Sequence, residues 1–171
     1  MVDRLLIDTL TTKSHDFAVR WKGKIRKAEQ LKHYNNLQDK QLIESQIGLY
    51  PVLARTLDRG IDRSLVGSFF VGMGKARMKD GYPISEIIYA VSLSQQTVIE
   101  YIMNEFLLDN PIKMYQAMGT VESVAQFFLL GCFYLTKGFL EATYMDMSDR
   151  DAVSEDLLKK YFKDDFFFKQ N

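Results

Sequence analysis

Between Pro83 and Leu108 the apolar residues Ile84, Ile87, Ile88, Val91, Val98, Ile102 and Phe106 recur at steps of three and four. That spacing puts them on one face of an α-helix, whereas a strand would scatter them over both faces of a sheet. The same period runs through most of the chain. Phe17, Trp21, Ile25, Ala28 and Leu31 mark a first long helix from about Ser14 to Tyr34. Leu65, Phe69, Met73 and Ala76 mark a third, and Met114, Met118, Val121, Val124, Ala125, Phe128, Cys132, Leu135 and Phe139 mark a fifth. Only three prolines occur, and no Asn-Gly or Asp-Gly pair leads into an alternating strand pattern. The chain is expected to be all-α, a bundle of five to six helices.

Punctuating residues set the boundaries. Asn35-Asn36 ends the first helix, and a second runs from Leu37 to about Arg59 with Gly60 as its left-handed C′ residue. Pro51 inside it predicts a break between Gly48 and Pro51, because proline lacks an amide donor and clashes with the preceding turn. Asp62 is a good N-cap for the third helix. The stretch GMGKARMKDGYP, residues 72–83, has the glycines and lysine of a phosphate loop. A Walker loop needs a preceding strand and a Lys-Ser/Thr pair, and here Lys75 is followed by Ala76 within a helical pattern. The structural reading accounts for these residues better: Gly67, Gly72 and Gly74 for close helix approach, Gly81 as a C′ residue and Pro83 as the N1 residue of the fourth helix. Lys75 is then a surface residue, and Lys75→Ala is expected to change stability by no more than about 0.5 kcal/mol. Residues 1–147 read as one helical domain. Residues 148–171 read as a charged tail with a short amphipathic helix capped by Ser154, a possible linker, ending in the run Phe166–Phe168.

Charge excludes some function classes. Lysine plus arginine equals aspartate plus glutamate, 22 each, which gives no overall pull toward nucleic acid or an anionic membrane. The longest apolar run, Val124 to Leu135, is shorter than the ~20 residues of a membrane span. Cys132 is the single cysteine and the N-terminus lacks a signal-peptide pattern, so a reducing, cytoplasmic address is expected.

Chemistry-bearing residues are sparse. His15 and His33 both lie at the first helix, with no histidine beyond, so a mid-chain axial ligand for haem is lacking and both histidines read as surface residues. No histidine has a second ligand at metal-binding spacing, and Cys132 sits in a stripe of Phe and Leu as a core residue. No catalytic pair, cofactor or metal is expected. Gln95 falls on the apolar stripe of the fourth helix, so it either bonds a neighbouring helix or lines a ligand cavity. Arg77 and Glu86 flank Gly81 and either pair across the junction or stand as exposed caps. The basic face Arg20, Lys22, Lys24, Arg26 and Lys27 is either solvated or turned to an acidic partner.

Trp21, Ile25, Leu53, Leu57, Ala76-Arg77, Gly81, Pro83 and Glu86 together form a pattern: a tryptophan in the first long helix, a helix ending Ala-Arg-x-x-x-Gly, and a helix opening hydrophobic-x-Glu. Over about residues 14–144 this resembles the RsbRD-type N-terminal sensory domain found in stressosome RsbR proteins and some sensor histidine kinases. The resemblance implies a globin-like helical fold that binds no haem, dimerises and controls a kinase or STAS-type output. Read from the residues, the first and fifth helices carry aromatics around much of their circumference, so Trp21, Phe127, Phe128 and Tyr134 are expected at a homodimer interface, where a charge at Phe127 would give a folded monomer. The alternatives are a haem- or small-ligand-binding globin-like sensor and a protein–protein assembly module without a ligand.

Overall fold

The computed structural model of the chain describes residues 2–106, 111–150 and 153–161. They form α1 (Val2–Thr12), α2 (Ser14–Lys27), α3 (Lys32–Asn35), α4 (Asp39–Ile47), α5 (Leu49–Arg59), α6 (Arg63–Lys79), α7 (Ile84–Phe106), α8 (Pro111–Asp149) and α9 (Glu155–Tyr161). The protein is all-α, as the periodicity requires, and no strand occurs among the described residues. The Phe166–Phe168 run lies outside them.

Three features raise the helix count above five or six, two of them unexpected. The N-terminal segment forms α1, which buries Leu6 and Leu10 and packs along α5. The expected first helix stops at Lys27 and resumes as the single turn α3. A side-chain fork stabilises that break: Arg26 donates from Nη1 to the Asn35 carbonyl at 2.8 Å and from Nη2 to the Leu37 carbonyl at 2.6 Å, while Asn35 Nδ2 donates to the Ala28 carbonyl. The third is the predicted break in the second helix, which falls at Gly48, so that Pro51 sits in the first turn of α5, where its missing amide costs no helical bond.

Long α8 is the spine, with α6 along it and α7, α1, α5 and α9 also against it; α2 fills in from α4 and α7. Glycine sets the α6–α8 approach. A Cβ on Gly74 would lie 2.1 Å from the Leu135 carbonyl oxygen, one on Gly138 would lie 2.2 Å from that of Val71, and one on Gly131 would enter the Phe70 ring. Gly72 has open space, so the close approach foreseen for the α6 glycines holds at Gly74 and not at Gly72.

Burial corrects the expected interface. Trp21, Phe127 and Phe128 are each at most 1% exposed, packed by helices of their own chain, so they are core residues, and a charge at Phe127 would unfold the protein. Tyr134 is half-buried, in edge contact with exposed Phe133. α8 itself is longer than the apolar run suggests, and by length and composition alone it is apolar enough to cross a membrane. Its buried face belongs to the protein core.

The basic face of α2 is largely neutralised within the chain. Lys22 and Arg26 both bind Asp39, and Lys24 binds Glu100, at 2.6–2.9 Å. The Lys22 ammonium, then the Arg26 guanidinium, hold the Asp39 carboxyl below the usual range.

Candidate functional site

The junction between α6 and α7 is built by helix-end chemistry. α6 ends in a Schellman pair: Tyr82 N–H donates to the Arg77 carbonyl and Gly81 N–H to the Met78 carbonyl, both at 3.0 Å. Gly81 takes φ +79°, so a β-branched residue there would be strained. Pro83 stands one residue earlier than expected, in the cap position before α7, and its carbonyl accepts from the Glu86 and Ile87 amides.

Glu86 is the centre of the junction. Its side chain is only 10% exposed, yet it reaches across to α3, where Oε2 accepts the His33 backbone N–H and Oε1 bonds Nδ1 of the His33 ring, each at 2.9 Å. A carboxylate can only accept, so Nδ1 carries the proton and the ring orientation is fixed. Placement in the first turn of α7 also sets the carboxylate at the positive end of that helix. Arg77 does not pair with Glu86; its guanidinium lies over two rings, 5.5 Å from Tyr34 and 5.0 Å from Tyr82, with Asp80 at 4.0 Å. Tyr34 and Tyr82 meet edge-on, and Trp21 meets Tyr34 from behind. Six side chains, Trp21 of α2, His33 and Tyr34 of α3, Arg77 of α6, Tyr82 of the junction turn and Glu86 of α7, thus form one stack.

Burial pushes the Tyr34 hydroxyl up to about 12, against the lowering influence of Arg77, and raises Tyr82 for the same reason. Between the ordinary tyrosine value near 10 and that of folded Tyr34, the native state holds a proton that the unfolded chain has lost. Stability from this group is therefore complete below about pH 10 and is lost as pH rises toward 12. Urea denaturation from pH 9 to 12 should show Tyr34→Phe falling less steeply than wild type; parallel curves would contradict it.

A second polar thread crosses the core nearby. The Trp21 indole N–H donates to the Ala90 carbonyl at 2.8 Å, which also accepts the Ser94 hydroxyl, and Gln46 donates to Ser94 at 2.6 Å. Burial raises the Tyr50 hydroxyl, which accepts from Gln46. Beyond Glu86, the inward polar residues of α7 are therefore Ser94 and Thr97, and Gln95 is half-buried beside them.

The remaining expected residues fall elsewhere. His15 is exposed beside Asp16, and Cys132 is half-buried against the core, its thiol raised by burial. Lys75 is more than a surface residue: its Nζ lies 2.7 Å from Glu141 Oε2, and the Glu141 side chain is 3% exposed. The pair opens onto a groove that Met78, Lys79, Met145, Asp146, Asp149 and Arg150 also line. Removing the ammonium withdraws a partner from a buried carboxylate, so the expectation for Lys75→Ala rises to a loss of about 1–2 kcal/mol, discounted because Lys75 itself is half-exposed. Urea denaturation should show that loss and its recovery in Lys75→Met with Glu141→Leu; an unchanged midpoint in Lys75→Ala would restore the surface reading.

Among the described residues no three of His, Cys, Asp and Glu converge on a point where a metal could sit. Compared with family models, curated proteins and solved structures, the chain matches none.

Proposed function

We propose that the chain is a non-enzymatic sensory or regulatory domain of a bacterial signal-transduction protein, working as a homodimer that controls a histidine-kinase or STAS-type output. The observation that supports this reading is that Trp21 meets Arg77 and Glu86, more than fifty residues further on, in one stack through Tyr34 and His33, beside the turn that Gly81 makes. Trp21, Arg77, Gly81 and Glu86 are among the residues that carry the resemblance to the RsbRD-type domain.

The stack has the makings of a two-position element. α3 is a single turn whose hydrogen bonds to α7 both run to the Glu86 carboxylate, so a change at that carboxylate would be felt directly at α3. α6 and α8, in contrast, are locked backbone to backbone at Gly74 and Gly138. A ligand, partner or modification acting at α3 would shift α7 against this rigid pair and so alter the surface that α8 presents.

The test is a fusion of residues 1–171 to a histidine-kinase core or a STAS domain. Glu86→Gln and Arg77→Ala should change its output at least severalfold while the fusion stays folded. Output indifferent to both variants contradicts the reading. Haem plays no part in it, so protein incubated with hemin should show no stoichiometric Soret band; a sharp band abolished by replacing His33 would favour the haem-sensor alternative.

A further inference from the structure

His33 presents an imidazole nitrogen that the fold leaves unused. Its Nδ1 is committed to Glu86 Oε1 at 2.9 Å, and Glu86 Oε2 takes the backbone N–H of the same residue, so one carboxylate fixes both the ring and the turn that carries it. With the proton on Nδ1, the neutral ring has its lone pair on Nε2. Nε2 has no hydrogen-bond partner among the described residues, and the His33 side chain is 46% exposed against 10% for Glu86. The buried edge of the ring thus faces the carboxylate, and the open edge carries the lone pair.

A carboxylate behind an imidazole does two things. It raises the basicity of the far nitrogen, and it stabilises the positive charge that develops on the ring when that nitrogen attacks an electrophile. Burial of Glu86 strengthens the second effect, because little water screens it. The setting favours an anionic electrophile. Lys32 is exposed beside His33 in the same turn, and the Arg77 guanidinium lies over Tyr82, the ring that His33 meets at 5.8 Å. Because α3 is a single turn with Lys32 and His33 both at the surface, the ring is open to a group carried by another protein.

We propose that His33 is a phosphoryl-acceptor site, modified at Nε2 by a donor with a phosphorus–nitrogen bond, such as a phosphohistidine of a partner protein. The Nε2 lone pair forms the new N–P bond, the donor's P–N bond breaks, and the donor nitrogen leaves with that electron pair. Nδ1 keeps its proton, and Glu86 faces the imidazolium that results. The proposal stands on the geometry at α3 and goes beyond the sensory reading, which requires no particular signal.

The test treats the full 171-residue chain with potassium phosphoramidate, mapping the product by mass spectrometry and assigning the modified nitrogen by phosphorus NMR. His15 is the internal control: its side chain is 66% exposed, and the Asp16 carboxylate beside it is itself exposed and 3.9 Å away. Exposure alone would make His15 the faster of the two. The proposal expects His33 to react about tenfold faster or more, at Nε2. Glu86→Gln should bring His33 down to the rate of His15 with helical circular dichroism unchanged, whereas a ring governed only by access would react faster once α3 is loosened. Equal rates in the folded wild type, a phosphoryl group on Nδ1 of His33, or a Glu86→Gln protein that reacts as fast as wild type each overturn the proposal. A preference for His33 that persists in urea would come from neighbouring residues rather than from Glu86, and overturns it too.

Discussion

Gly138→Val should unfold the protein or nearly so. The first added carbon would lie 2.2 Å from the Val71 carbonyl oxygen, and the contact is backbone against backbone, so no side chain can swing aside. Gly138→Ala alone should cost about 2–3 kcal/mol, even though alanine regains up to about 1 kcal/mol of helix propensity. Gly74→Ala, which meets the Leu135 carbonyl, should behave alike. The control is Gly72→Ala on α6, where a Cβ meets nothing within 4 Å and the propensity gain should appear undiminished, about 0.5–1 kcal/mol of added stability. Thermal melts should therefore separate two glycines on one helix by sign; equal effects at Gly72 and Gly74 would contradict the α6–α8 crossing.

Trp21→Ala should be the costliest truncation in α2, about 3–5 kcal/mol, because it empties a fully buried site between α2, α3 and α7. Trp21→Phe separates the polar contribution from the volume. It keeps most of the ring but loses the indole N–H that bonds the Ala90 carbonyl; since Ser94 still donates to that oxygen, the loss should be only about 1–2 kcal/mol. Urea denaturation followed by circular dichroism measures both, Trp21 being the single tryptophan and so lost as a fluorophore. A Trp21→Ala protein as stable as wild type would remove the stack from the core.

Where local chemistry decides, the sequence was readable. The stripe of α7, the Asp62 cap that accepts from the Ser64 and Leu65 amides, and the positive-φ glycines 60 and 81 are all set by a few neighbouring residues. Where distant partners decide, it was not. The break after Lys27 depends on Arg26 reaching Asn35, Leu37 and Asp39, and neither Gly nor Pro marks it. Gln95 and Ser94 fit the periodicity of α7 equally well, and only Gln46 on α4 shows that Ser94 is the inward one. The aromatic excess on α8 was visible, but not its division: Phe127 and Phe128 go to the core while Phe133 goes to the surface. Of the junction stack, Arg77, Gly81, Pro83 and Glu86 were recognisable as a helix junction. The pairing of Glu86 with His33, 53 residues away, has no sequence signal, and neither does the stacking of Arg77 on two tyrosines.

The central claim is that the junction stack is a separately movable element on a rigid α6–α8 pair. Backbone hydrogen exchange of wild type and Glu86→Gln tests it most directly. The account predicts that the substitution speeds exchange in residues 28–36 and 80–88 by at least tenfold, while amides around Gly74 and Gly138 keep wild-type protection. Loss of protection spread evenly over all helices would show that Glu86 is ordinary core cement, and no change at α3 would show that it holds nothing there; either result contradicts the account.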